Sequence, residues 1–394
     1  MSTVDTTDLT TTVHDQLLDR NRIYEDFFTR ESHRLALACR EMSDRFLRGG
    51  RLLAFGRGPY ATDAQHVSVE FVHPIIVGKR ALPALDLSIL PGPWLEAILC
   101  PDDIVMGFGP PDGDQEIDAA LQIATNRGAM TFALPGRAGS YTLDPSSQNP
   151  FIHQELIEIL YHTLWETVHV FFEHNELGHD VGDSAFLYPF LGEQKEPSAD
   201  VVDQVAASIR AKAQDDSKLR ARVAREQSEQ IIATARAIHQ RLQKGGKVIT
   251  FGNGGSATDA NDFAIDCVLP PSGYKPIPAI SLSMEPANLT AIANDVGIEL
   301  IFLRQMIAQA KPNDIAVGIS TSGGSRNVVL ALEEARKQGL LTAALLGYDG
   351  GDILRSRLAD HCLVVHSDYI PRIQEVQASI YHVLRETLEA LSHA

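Results

Sequence analysis

The sequence is poor in cysteine and in positive charge, and it has no long hydrophobic run. Only four of its 394 residues are cysteines. They lie far apart, which excludes the closely spaced pairs of structural zinc sites and disulfide-rich secreted domains. The 51 acidic residues outnumber the 34 basic ones, for a formal net charge of -17, and such a chain repels the phosphate backbone of nucleic acids. No apolar run is long enough to cross a bilayer, and the N-terminus lacks the basic start and apolar core of a signal peptide. We therefore expect a cytoplasmic protein with no direct nucleic-acid partner and no membrane anchor.

The chain contains an internal repeat. Three blocks recur in the same order: FGRGPYATDA and FGNGGSATDA, LPALDLS and IPAISLS, YHTLWET and YHVLRET. Three ordered matches indicate the duplication of one domain. The length agrees with two domains, and 44% hydrophobic residues allow each copy a core of its own. The first copy is shorter, because it lacks a counterpart of the segment 285–306.

Each copy has the pattern of a parallel α/β domain. A long amphipathic stretch opens each one, around residues 14–48 and 218–244, and a glycine pair follows each stretch. Short apolar runs then alternate with helical patterns, which predicts a parallel sheet with helices wound around it. We expect two three-layer α/β/α domains over 1–175 and 215–394, joined by a largely polar connection over 176–214.

The most informative motif lies in the second copy, where the apolar run DIAVGI leads directly into STSGGS at residues 320–325. Hydroxyls and backbone amides at the start of a helix form an anion site, and open α/β sheets bind ligands at the carboxyl ends of their strands. The alternative is an ordinary serine and glycine turn with a helix cap. A second loop, GNGGS at 252–256, also follows a strand and opens a helix. Two such loops in one copy favour a phosphate site.

The segments FGNGGSATDA, GISTSGGSRNV and RIQEVQASIYHVL resemble the phosphoheptose isomerases of the sugar isomerase (SIS) family, over residues 215–394. The resemblance implies a five-stranded parallel sheet flanked by helices, flavodoxin- or Rossmann-like, in an oligomer. It implies conversion of sedoheptulose 7-phosphate into an aldose, and we expect no nucleotide cofactor. Glu285 and Gln374 take the positions that contact the sugar. By the same resemblance, phosphate binding falls to Asn253, Gly254, Ser256, Ser320, Thr321, Ser322 and Ser325.

The family's catalytic centre joins a His and a Glu, four residues apart after the first loop, to a Gln and a His, eight residues apart on the last helix. Many members bind zinc with these four. The second copy carries aspartates at the first two positions, in the set Asp262, Asp266, Gln374 and His382. An aspartate can act as a base or ligate a metal, but it is shorter than glutamate. The first copy has the complete set, His66, Glu70, Gln154 and His162. The resemblance implies either set as metal ligands, with Glu70 or Asp266 as the base and His162 or His382 as the acid.

The first copy has lost the phosphate loop. It reads GFGPPDGDQEI where the second reads GISTSGGSRNV. Two prolines remove backbone donors, and Asp112 and Asp114 repel phosphate, although Arg57 supplies a cation nearby. The copies are thus complementary, and we hypothesise a fused pseudo-dimer with division of labour. In the alternative, the first copy is a scaffold whose His66 and Glu70 are remnants or belong to a structural metal site.

These features predict an aldose–ketose isomerase for a sugar phosphate, most similar to phosphoheptose isomerase. Such a reaction moves a proton through an enediol, and zinc could assist it by polarising the carbonyl. Binding energy from the distant phosphate would position the sugar. We expect a homo-oligomer, a dimer of the fused pseudo-dimer. The alternative function is a non-catalytic regulatory or assembly protein that binds a sugar phosphate with the same fold.

Overall fold

The computed structural model describes residues 6–74, 79–136, 139–177 and 199–393. The first repeat forms these elements: α1 (Thr6–Leu47), β1 (Leu52–Gly56), α2 (Ala61–Val72), β2 (Ala84–Asp86), α3 (Pro91–Ile98), β3 (Ile104–Phe108), α4 (Gln115–Asn126), β4 (Met130–Leu134), β5 (Tyr141–Thr142) and α5 (Pro150–Leu177). None of the helices in the described ranges is long and apolar enough to cross a membrane.

The second repeat forms a similar series with extra helices. Its elements are α6 (Ala199–Leu242), β6 (Val248–Phe251), α7 (Gly255–Val268), β7 (Ala279–Ser281), α8 (Pro286–Val296), α9 (Ile301–Gln309), β8 (Ile315–Ser320), α10 (Arg326–Lys337), β9 (Leu341–Gly347), α11 (Gly351–Arg355), β10 (His361–Val365) and α12 (Ile370–His393). Helix α8 and most of α9 fall in the segment 285–306, and between the equivalent strands the first repeat has the single short helix α3.

Each repeat contains one five-stranded sheet, and every strand pairing is parallel. The strand orders are β2-β1-β3-β4-β5 and β7-β6-β8-β9-β10, which is the same topology twice. The predicted fold class, two tandem domains with a five-stranded parallel sheet each, is therefore confirmed.

The three-layer arrangement follows from alternating side chains along the strands. In β8, Ile315, Val317 and Ile319 face a core that also contains residues of α6, α7 and α12. Ala316 points to the opposite face, where α9 and α10 supply the apolar cover. Because successive side chains of a strand point to opposite faces, one short apolar run serves both layers.

The chain divides into two compact units, and the boundaries between them fall within the long helices α1 and α6. The C-terminal unit comprises Met1–Asn21 and Lys218–Ala394, and the N-terminal unit comprises Arg22–Ser217. In the C-terminal unit, the buried Arg20 forms an ion pair with Glu386, with 3.2 Å between Nη2 and Oε2. The beginning of α1 therefore belongs to the C-terminal unit, whose remaining residues start at Lys218.

Part of the predicted connection over 176–214 is helical in the structure, and residues 176–177 form the end of α5. Residues 199–214 form the first turns of α6, because Val201, Val205 and Ile209 recur at helical spacing and are buried in the core of the N-terminal unit. The rest of the connection, residues 178–198, lies outside the described residues.

Candidate functional site

The serine loop of the C-terminal unit lies where β8 ends and α10 begins. The hydroxyl of Ser320 accepts a hydrogen bond from the amide of Gly323 at 3.1 Å, and that of Ser322 accepts one from Gly324 at 3.3 Å. The hydroxyls of Ser320 and Ser325 are 3.2 Å apart. Exposure differs along the loop, with Ser320 buried, Thr321 and Ser325 half-buried, and Ser322 exposed. The buried Ser320 hydroxyl thus helps to hold the loop in shape, whereas the Ser322 hydroxyl lies at the surface.

The two predicted loops meet at one edge of the sheet. The amides of Asn253 and Asn327 exchange two hydrogen bonds of 2.9 Å, which tie the loop after β6 to the first turn of α10. The Asn327 side chain also accepts a hydrogen bond from the amide of Val328 at 2.9 Å. Gly254 has a φ of 55° and caps α7, whose first turn contains the buried Ser256. Two helix N-termini therefore converge beside the serine hydroxyls, an arrangement that favours anions.

A buried acid–base cluster joins α7 to α12 in the same unit. The Nε2 atom of His382 lies 3.1 Å from Oδ2 of Asp266 and 3.5 Å from Oδ2 of Asp262. The hydroxyl of Tyr381 donates a 2.8 Å hydrogen bond to the same Asp262 oxygen. All four residues are at least 97% buried. The structure thus brings together Asp262, Asp266 and His382, and it adds Tyr381, which the sequence analysis missed.

Burial and the neighbouring carboxylate of Asp262 raise the pKa of Asp266 to about 7, although His382 opposes the shift. Near neutral pH the Asp266 carboxyl is therefore divided between its acid and base forms. A group in that state can both accept and return a proton, as general acid–base chemistry requires.

The two predicted sugar contacts occupy different surroundings. Gln374 lies on α12, about two turns before His382, and is 2% exposed. Glu285 is the exposed residue that precedes α8, a helix in which no described residue is buried. Gln374 therefore lies within the body of the unit, whereas Glu285 lies at its surface.

The N-terminal unit has its own buried cluster at the equivalent place. One ligand atom each of His66, Glu158 and His162 lie within 4.8 Å of one another. The Nε2 atom of His66 is 3.8 Å from Oε1 of Glu70. The two imidazole rings are 5.1 Å apart between centroids. Burial and the neighbouring His162 hold the pKa of His66 well below its usual range, so this imidazole is neutral, the form that ligates metals.

Gln154, a predicted ligand, is directed toward the start of α2. Its Nε2 donates to Oδ2 of Asp63 at 3.1 Å, to Oγ1 of Thr62 at 3.4 Å and to the carbonyl of Pro59 at 3.3 Å. Glu158, which the sequence analysis missed, lies in the cluster with His66 and His162. Its signal was available, because it precedes His162 by four residues and so shares its face of α5.

The loop after β3 in the N-terminal unit is filled by its own carboxylate. Asp114 caps α4 and accepts hydrogen bonds from the amides of Glu116 and Ile117 at 2.8 and 3.1 Å. Arg57 lies 3.0 Å from Asp114 and 3.2 Å from Glu116. Arg57 and Glu116 occupy the positions that Asn253 and Asn327 hold in the other repeat. The donors and the cation that could attract phosphate are thus engaged internally.

A cavity of about 450 Å³ lies beside this loop. Four carboxyl-bearing residues are among those that line it: Asp112, Asp114, Asp118 and Asp144. Their negative charge opposes the binding of an anion. The two units therefore differ most at the strand ends where the C-terminal unit has its serine loop.

Fold and site together define a class of α/β protein. Each of its two domains has a five-stranded parallel sheet, and one sheet carries a serine loop at the carboxyl ends of its strands. The chain belongs to the SIS domain family. The family profile described as "SIS domain" matches residues 213–347.

Relatives support this membership over the second repeat. Phosphoheptose isomerase from Chlorobaculum tepidum is 44% identical over 179 residues, which are 44% of this chain and 85% of that protein. Phosphoheptose isomerase from Thermodesulfovibrio yellowstonii is 38% identical over 187 residues, 47% of this chain and 92% of that protein.

Two solved structures extend the likeness in fold to nearly the whole chain. The C-terminal domain of glucosamine-fructose-6-phosphate aminotransferase from Francisella tularensis has a TM-score of 0.63 at 7% identity, and covers 96% of each chain. Tagatose-6-phosphate ketose/aldose isomerase from Escherichia coli has a TM-score of 0.59 at 12% identity, covering 96% of this chain and 92% of that one. At these identities the likeness concerns the fold alone.

Proposed function

We propose that the protein is a sugar-phosphate aldose–ketose isomerase of the phosphoheptose type, and that the C-terminal unit carries out the reaction. The proposal rests on α7, because this helix connects the serine loop to the acid–base cluster of Asp262, Asp266 and His382. The helix starts beside the serine loop, and Asp262 lies about 10 Å further along it, at 1.5 Å per residue. One end of a substrate could thus be held by its phosphate while the other meets the acid–base cluster. The relatives named phosphoheptose isomerase support the type of sugar.

In the proposed reaction, Asp266 removes the proton from the carbon beside the carbonyl. His382 donates a proton to the carbonyl oxygen, which gives an enediol. Returning a proton to the neighbouring carbon, with loss of the hydroxyl proton from the other oxygen, completes the exchange of aldose and ketose. Tyr381 keeps Asp262 in place through its 2.8 Å hydrogen bond, and Asp262 in turn raises the pKa of Asp266.

The phosphate supplies the binding energy that positions the reacting carbons. We propose that Ser320, Thr321, Ser322 and Ser325 bind it together with the first loop, through Asn253, Gly254 and Ser256. Glu285 and Gln374 are the proposed contacts to sugar hydroxyls.

Zinc is compatible with the same cluster. Ligand atoms of Asp262, Asp266 and His382 lie within 4.8 Å of one another, and carboxylate oxygens and imidazole nitrogens are ligands that zinc accepts. These three residues would hold the ion, and the ion would polarise the substrate carbonyl when bound.

We further propose that the protein works in the cytoplasm as a homo-oligomer. Large apolar side chains are exposed in both units, including Ile89 at 89% and Ile298 at 62%. Exposed apolar surface of this kind supports association between copies.

Turnover of sedoheptulose 7-phosphate, followed by NMR for the aldose product, tests the proposal. In Ser322→Ala the phosphate loses one hydrogen bond to a charged group, so we expect KM to rise by about 10- to 100-fold. Ser356→Ala, which removes an exposed hydroxyl beyond α11, is the matched control and should behave as wild type.

Three other outcomes have distinct meanings. Binding of the sugar phosphate without turnover, abolished in Ser322→Ala, would replace the isomerase with a non-catalytic sugar-phosphate-binding regulator. Neither binding nor turnover would refute both functions. Loss of turnover in a Glu70→Gln protein that is folded and still binds the sugar phosphate would show that the N-terminal unit takes part in the reaction.

A further inference from the structure

We propose that Glu158 is a metal ligand in the N-terminal unit and takes the place that the resemblance to the family gives to Gln154. The metal site would then consist of two imidazoles and two carboxylates, His66 and Glu70 from α2 and Glu158 and His162 from α5. Glutamine is a neutral and weak ligand, whereas glutamate brings a full charge, so the exchange changes both the strength and the selectivity of the site.

The geometry supports this set through matched helix spacing. His66 and Glu70 are four residues apart on α2, and Glu158 and His162 are four residues apart on α5. Residues at this spacing share one helix face. Ligand atoms of three of the four residues already lie within 4.8 Å of one another, and Glu70 is 3.8 Å from His66. Four donors from two facing helices match the tetrahedral N and O sites of zinc.

The contacts of Gln154 place its whole amide group at the start of α2 rather than beside His66 and Glu70. Its three acceptors belong to Pro59, Thr62 and Asp63, at the start of α2 and about one turn before His66. Further along α5, Glu158 is level with His66. The position of Glu158 corresponds in the second repeat to Ala378, so this carboxylate is particular to the N-terminal unit.

Burial makes charge balance important. Glu70 is 2% exposed and Glu158 is 4% exposed. Burying a carboxylate is costly, and a divalent ion bound between these two carboxylates would offset part of that cost. A closed set of four protein ligands is also typical of structural zinc sites. We therefore assign this ion to holding α2 against α5, in a unit whose loop after β3 is filled by its own carboxylate.

The test measures metal rather than turnover, so its outcome is independent of the isomerase proposal. The full chain is prepared with Asp262→Asn and Asp266→Asn, which remove the carboxylates of the other cluster. Zinc per chain is measured by elemental analysis, affinity by competition with a chromophoric chelator, and coordination by the visible spectrum of the cobalt-substituted protein. The parent is expected to bind one ion per chain with a four-coordinate cobalt spectrum.

In this background Glu158→Gln keeps the shape of the side chain and removes its charge. Loss of a residue that only supports a metal ligand lowers metal affinity by roughly 10- to 100-fold. We expect Glu158→Gln to lower zinc affinity by more than this, because Glu158 is a ligand. Gln154→Ala, one turn earlier on the same helix, should bind zinc within about threefold of the parent, below that same range. Circular dichroism and melting of the metal-free variants verify that each is folded.

Three results would overturn the proposal. The first is unchanged zinc affinity and cobalt spectrum in Glu158→Gln. The second is loss of zinc in Gln154→Ala with retention in Glu158→Gln. The third is a folded parent that binds no zinc and does not melt at a higher temperature when zinc is added, since a bound ligand must stabilise the folded state.

Discussion

Gly323 is the position where one methyl group tests the proposed phosphate loop most sharply. Its φ is 62°, and a Cβ built there would lie 2.2 Å from the carbonyl oxygen of Gly350. A side chain in left-handed backbone costs about 1–2 kcal/mol, and relieving an overlap in a packed region costs roughly a further 1–3 kcal/mol. We therefore expect Gly323→Ala to lower the free energy of unfolding by about 2–5 kcal/mol.

The same change should displace the phosphate-binding groups. Restoring an ordinary contact from 2.2 Å requires a shift of about 1 Å, and a misplacement of that size costs up to about 100-fold where geometry matters. We expect sugar-phosphate affinity to fall at least about tenfold, consistent with that bound. Calorimetric titration gives the affinity, and denaturant unfolding gives the stability.

Gly339→Ala is the matched control at the other end of α10. Gly339 has a φ of 82°, and no described heavy atom lies within 4 Å of the added Cβ. This variant should lose about 1–2 kcal/mol of stability from the backbone alone and bind the sugar phosphate as wild type does. A folded Gly323→Ala protein with wild-type affinity would show that this loop is not the phosphate site.

Three further predictions concern buried titratable groups. The rate kcat should rise with pH through about 7 as Asp266 loses its proton, and Asp262→Asn should move this limb to lower pH because it removes the like charge; a pH–rate profile with an unmoved limb would contradict this. Arg20→Ala should destabilise the C-terminal unit by about 3–5 kcal/mol, since it leaves the buried Glu386 without that ion pair; urea unfolding measures the loss, and a loss below about 1 kcal/mol, the value of an exposed pair, would contradict it. The pKa of His66 is depressed in the folded chain, so in chelator the unfolded state binds more protons below about pH 6.5. Stability should therefore fall as the pH drops from 7 to 5, and less so in His66→Gln; equal slopes in thermal melts would contradict this.

The fold could be predicted because its signals are local. In β8 the run DIAVGI has the alternating buried side chains of a strand covered on both faces, and STSGGS follows at its carboxyl end. Because the first half of the chain repeats the same sequence blocks, the same topology could be predicted for it. Both glycine loops were found from sequence, because glycine and serine at a strand end carry a specific backbone requirement.

Other features depend on tertiary contacts that sequence spacing does not specify. The apolar positions of α6, such as Val201 and Val205, predict a helix, but nothing in them tells which core they enter. The position of the Gln154 amide group depends on Asp63, a residue 91 positions away. Glu158 is different, because its four-residue spacing from His162 is visible in the sequence but the family's set of four positions does not include it.

The central claim is that Asp266 of the C-terminal unit moves the substrate proton. The most direct measurement is deuterium incorporation from solvent into sedoheptulose 7-phosphate, by NMR, in wild type, Asp266→Asn and Glu70→Gln. We expect incorporation and turnover in wild type and in Glu70→Gln, and neither in Asp266→Asn, which should still bind the sugar phosphate. Incorporation and turnover in Asp266→Asn at the wild-type rate would contradict it.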